Sequence, residues 1–169
     1  LIFVLTFLIG TGIYILITDL AFGIEGLQTS IQMVWPALMI PGFTAGQTQA
    51  AVAAGLFLSM AATVSITLFL SAKCRNVQDS LKIALLLGLL PMILAVISSA
   101  NLIKIIRCIL PSGGIGLTNS FLYELLGTDF AHVGSAVIWT PYLIIGAALV
   151  EIPLFLILTV RVYCRREGV

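Results

Sequence analysis

One glutamate sits deep in an apolar run, and it is the residue whose setting most demands a chemical explanation. Glu151 lies within Val137 to Val160, with Pro153 two positions on and Arg161 as the next charge toward the C-terminus. Along a helix that charge is roughly 15 Å away, at ~1.5 Å per residue. A carboxylate held at bilayer depth costs on the order of 2.5–3.5 kcal/mol on insertion scales, so it is protonated, paired or turned to a polar cavity. Three readings follow for Glu151. It is a structural acid satisfied by a hydroxyl or a basic group, or a proton or cation site. Otherwise the span is displaced, with Glu151 near an interface and Ile152 to Tyr163 lying flat.

Other chemistries lack their residues. His132 is the single histidine, and Cys74, Cys108 and Cys164 are dispersed with no Cys-x-x-Cys pair. Zinc and redox centres need clustered soft ligands, so no metal and no cofactor is expected. Cys74 and Cys164 adjoin basic residues, a setting that permits palmitoylation, although ordinary reduced thiols are the plainer reading. An aspartyl protease needs two facing carboxylates, and Glu151 has no acidic neighbour in its run. Ser135 lies three residues from His132 without an oxyanion motif. The glycines of Gly113-Gly114-Ile115-Gly116 follow no strand and precede no Lys-Ser/Thr, so they read as a flexible loop rather than a phosphate cradle. The chain is expected not to be an enzyme.

Composition sets what must position these residues. The 169 residues are 60% hydrophobic and 9% charged, with a mean hydropathy of +1.19. Soluble domains carry about 25% charged residues, so the fold expected is an all-α integral membrane protein, one transmembrane domain over residues 1–169, with the bilayer as its first partner. The net charge of +1 offers no field for nucleic acid. A hydrocarbon core of ~30 Å takes roughly 20 apolar residues as helix, which gives four spans near 1–18, 47–72, 80–101 and 134–163. The first ends at Asp19 and has neither a basic stretch before it nor a small-residue cleavage pattern after it, so it reads as a span rather than a signal peptide. Leu1 is not a start methionine, from which a longer parent chain is expected.

Local signals mark the boundaries. Pro41-Gly42 breaks the chain, then Thr44 and Gln47 have capping-box spacing at the start of the second span. Asp79 reads as the N-cap of the third, Pro91 as its kink, and Pro153 as a bend in the fourth. Two connections should hold short interfacial helices. In residues 22–43 the apolar spacing is Leu27, Ile31, Val34 and Trp35, ended by Pro36, and in 110–133 the cluster is Phe121, Leu122, Tyr123, Leu125 and Leu126. Lys104 and Arg107 are expected to snorkel outward. Lys73, Arg75, Lys82, Arg161, Arg165 and Arg166 fall on one face and only Lys104 and Arg107 on the other, which places both termini in the cytoplasm. Trp35 and Trp139 then fall at the outer interface, where aromatic belts occur.

Ala51, Gly55, Ser59 and Ala62 recur at spacings of four, four and three along the second span, a stripe of small residues that lets helix backbones approach closely. With no nucleophile set, no ligand cluster and little mass outside the spans, the function expected is a non-catalytic accessory or structural subunit of a larger membrane complex, partnered by other transmembrane subunits. A small transporter or channel subunit using Glu151 is the alternative.

Leu70 to Lys73 with Asn76 to Lys82, followed by Pro91, resembles the linker and third span of the Yip1-like membrane-trafficking family, and Phe130 to Trp139 is similar to a later segment of it. The resemblance covers about a third of the chain and implies a trafficking role. The family has five spans where four fit here, so the assignment is not adopted.

Overall fold

The computed structural model describes residues 2–31, 42–74, 76–115, 121–127 and 129–167, apart from the side chains of Phe22, Arg166 and Glu167. Val34, Trp35, Pro36 and Pro41 therefore lie outside the described residues, as do Arg75 and Gly116. The fold is mostly helical. In chain order come α1 (Ile2–Gln28), α2 (Ala45–Lys73), α3 (Val77–Ile97), α4 (Asn101–Ile109), α5 (Phe121–Leu126), β1 (Phe130–Val133), β2 (Ala136–Trp139) and α6 (Thr140–Glu167). Four of these helices, within α1, α2, α3 and α6, are long and apolar enough to cross a membrane. Packing divides the chain into two units, Leu1–Phe57 and Leu58–Val169.

In the first unit, α1 runs past Asp19 and breaks at Gly23, whose φ of 73° favours a residue without Cβ. An acid inside a helix does not end it; the backbone does. The hydroxyls of Thr6 and Thr18 donate to Ile2 O and Tyr14 O, each at 2.9 Å, so they are satisfied within their own helix as an apolar environment demands. Phe57 packs its ring 5.6 Å from Phe3 and 5.1 Å from Phe7. Ile31 N donates to Phe43 O and Ala45 N to Thr29 O, pinning together the two ends of the connection between α1 and α2. The capping box forms: Thr44 N donates to Gln47 Oε1 at 3.1 Å, and Gln47 N to Thr44 Oγ1 at 3.2 Å.

In the second unit three boundaries differ from those the sequence predicts. Asn76 rather than Asp79 caps α3, and Asp79 sits in the first turn, where a negative charge suits the helix dipole. The third span stops at Ile97, because Ser98 is extended and its Oγ accepts from Ala100 N; the chain then turns into α4. The segment expected to open the fourth span is not helical. Residues 130–139 form an antiparallel hairpin that pairs Phe130 with Trp139, turning at Gly134 with φ 62°. The short hairpin interrupts a chain that is otherwise helical as expected, and α6 starts at Thr140. Ala136-Val137-Ile138-Trp139 is a β-branched and aromatic run, which favours a strand once a partner lies opposite.

Candidate functional site

Helix α4 is built inside out. Leu102, Ile106 and Ile109 form its exposed stripe, while Lys104, Arg107 and Cys108 turn inward. In water the order would be reversed. The inward cations do not snorkel, contrary to the sequence expectation, because carboxylates wait for them. Lys104 Nζ lies 3.0 Å from Asp129 Oδ1, and Arg107 Nη2 donates to Glu124 Oε1 at 2.5 Å. Glu124 is 5% exposed and Arg107 12%. The helix that carries Glu124, α5, also buries Phe121 and Leu125, so it docks into the unit instead of floating at an interface. Arg107 Nε and Glu124 Oε2 are buried with no hydrogen-bond partner among the described residues.

The β1–β2 hairpin is tied to α4 near its start. Asn101 donates from Nδ2 to His132 O at 2.7 Å and accepts from His132 N at 2.8 Å. Thr140 N and Oγ1 both donate to Asp129 O, and Trp139 Nε1 donates to Gly127 O. A cleft of about 240 Å³ opens beside it, lined by Ala95, Ser98, Ser99, Ile103, Lys104, Arg107 and Asp129.

Beyond Arg107, α4 leads into the loop that the sequence reads as flexible. Pro111, Ser112, Gly113 and Gly114 are all buried. Thr63 Oγ1 of α2 donates to Pro111 O at 3.1 Å, and Phe121 N donates to Gly114 O at 2.8 Å. Ser112 Oγ donates to Leu87 O at 3.0 Å. That carbonyl is free because Pro91, four residues on, has no N–H to offer it. The proline in α3 and the serine in the loop are thus two halves of one contact. The glycines are required by space. A Cβ on Gly113 would stand 2.5 Å from Arg107 O, and one on Gly114 2.5 Å from Ser59 Oγ. Ser59 and Leu87 are the midpoints of α2 and α3, so the loop enters the unit at half the height of its long helices.

The small-residue stripe divides between the units. Ala51 is half-buried and Gly55 buried in the first; Ser59 and Ala62 are buried in the second, where Ser59 faces the Gly114 backbone. Glu151 stands on the inward face of α6, in line with Ile144 and Ala148, each 3% exposed, and with Phe155, whose ring lies 5.9 Å from Phe69. Its Oε2 is buried with no hydrogen-bond partner among the described residues. Ile144 also faces the Gly114 position, so Glu151 lies two turns of α6 farther on from the loop. Sequence reasoning found Glu151 and Ser59 but missed Glu124, Asp129, Asn101 and Ser112. The available signal was charge: Arg107 and Glu124 are isolated in apolar surroundings, and opposite charges so placed demand partners.

No protein-family model matches the chain, and neither does any curated protein or solved structure.

Proposed function

We propose that the chain is a multi-pass integral membrane protein that handles a small polar solute or ion inside the bilayer, as a small non-catalytic transporter or channel subunit. The observation that carries this reading is α4, which turns back from the end of α3 with its apolar stripe outward and its cations inward and leads into a buried non-helical loop. From Leu87 to Ile97 is roughly 15 Å and α4 spans roughly 13 Å, at ~1.5 Å per residue. Both are close to half of a ~30 Å hydrocarbon core. Helix α4 is then re-entrant, running from the outer end of α3 back to mid-depth. Irregular backbone at that depth is tolerated only when buried in protein or lining a cavity, and broken helices at the midplane are where transporters place their sites. A transport path needs several polar groups in succession. The cleft, the Arg107–Glu124 pair, the Ser112–Gly114 loop with Ser59, and Glu151 form such a series within one unit.

Basic residues give the orientation, with both termini and the turn after α2 in the cytoplasm and the hairpin outside. The test is flux. Vesicles holding the purified chain should pass potassium, chloride or phosphate faster than empty vesicles. Glu151→Gln, which keeps the shape and removes the titration, should stop the flux of a protein that still elutes as a single species. Wild-type vesicles as tight as empty ones to all three ions would sink the transport reading.

A second reading, an accessory subunit that packs against other transmembrane chains, is favoured by α1, where the most apolar window within Ile2–Ala21 has no buried residue. Native mass of the membrane-extracted complex separates the two: stable co-purification with larger subunits supports the accessory role. A Yip1-like trafficking role has the local sequence resemblance as its sole support.

A further inference from the structure

We infer that the cleft at the outer end of α3 and α4 binds an oxyanion, a phosphate or carboxylate group carried by a free solute or by a lipid headgroup. This names the chemistry of the solute that the transport reading leaves open, and rests on that reading only for the cleft being the way in.

The lining is rich in donors. Lys104 and Arg107 line the cleft together with Asp129, Lys104 paired with Asp129 and Arg107 with Glu124. Ser98 and Ser99 add hydroxyls, and Ser98 Oγ already accepts from Ala100 N, so its proton is the part left to give. Arg107 lines the cleft, and its Nη2 is fixed by Glu124. A guanidinium that lines the cleft and is anchored by a carboxylate is suited to pair with a planar or tetrahedral oxyanion. Lys104 is held by Asp129, and that pair is the weak one. Asp129 is 56% exposed, and an exposed pair adds at most a small stability. An incoming oxyanion can replace Asp129 at Lys104 while the carboxylate swings to water. The backbone of Asp129 stays in place because Thr140 holds its carbonyl. The volume of about 240 Å³ admits a phosphate-sized group with several attached atoms.

Titration of the purified full chain in phosphatidylcholine nanodiscs with inorganic phosphate, against potassium chloride at equal ionic strength, reads the site through the fluorescence of Trp139, whose indole bonds Gly127 beside Asp129. The same reading in nanodiscs of phosphatidylcholine with phosphatidic acid tests the lipid source. A saturable change with phosphate assigns a free solute, and one seen only with phosphatidic acid assigns a headgroup. Lys104→Gln should weaken either by roughly tenfold, the loss of one charge-assisted contact, whereas Lys104→Arg should retain it. Asp129→Asn should tighten it severalfold by removing the competing carboxylate. A cleft whose charges serve only the fold predicts no saturation with either probe, and that result overturns the proposal. Weakening by Asp129→Asn in a protein of unchanged melting temperature also overturns it. Saturable binding without ion flux removes the transport reading and leaves the oxyanion site standing; flux without binding does the reverse.

Discussion

At the scale of single residues, the second unit is governed by groups whose neighbours leave no freedom. Gly114 faces the hydroxyl of Ser59, and a methyl there would lie 2.5 Å from Oγ and 3.4 Å from Ile144 Cγ2. Gly114→Ala should therefore destabilise by about 1–3 kcal/mol, the usual range for overpacking. Adding Ser59→Gly should recover most of it, because the obstacle is a side chain. Gly113→Ala has no such rescue, since its obstacle is the carbonyl of Arg107. Melting temperatures in detergent for the two singles and the double decide this; failure of Ser59→Gly to help would mean that the loop is not seated against α2. The buried pair gives a second prediction. Arg107→Met or Glu124→Leu alone leaves an uncompensated buried charge, with a loss on the order of 3–5 kcal/mol, while the double substitution loses much less because no charge is stranded. Additive losses would show that the two residues do not depend on each other.

At the scale of elements, α3 and the loop after α4 are coupled through one carbonyl. Pro91 frees Leu87 O, and Ser112 Oγ takes it at 3.0 Å. Ser112→Ala should cost about 1–3 kcal/mol by stranding a buried acceptor. In a Pro91→Ala background the helix supplies its own N–H, so the same change should cost little. A double-mutant cycle on thermal stability reads the coupling, expected at about 0.5–3 kcal/mol. A value near zero would detach the loop from α3. The hairpin of β1 and β2 is the corresponding device at the other end of α4. It is only eight paired residues, too little to stand alone in water, and it is held by Asn101, Lys104 and Trp139.

At the scale of the whole molecule, the predicted sidedness is testable with thiols. Cys108 is 1% exposed and unsuited to labelling, but Cys74 is partly exposed and Cys164 exposed. Ser135 is an exposed residue in the turn between β1 and β2. Cys74 and Cys164 should react with an impermeant maleimide from one face of sealed vesicles, and Ser135→Cys only from the other. All three reacting from one face would mean that neither α3 nor α6 carries the chain across the bilayer.

The sequence by itself determined what is local or compositional. Twenty-residue apolar stretches set the four long helices, because hydropathy acts on each stretch separately. The Thr44–Gln47 spacing set the start of α2, because a capping box joins residues three apart. Glu151 declared itself by charge alone. What only the tertiary structure decided is what depends on partners distant in the chain. Phe130 to Trp139 became a hairpin because two short runs pair with each other. Pro111 to Gly114 reads as a flexible loop by composition, yet it is buried and in contact with Ser59, Thr63 and Leu87. Arg107 was expected to reach for water and instead turned inward, because Glu124, seventeen residues on, offers a buried charge that no local pattern announces.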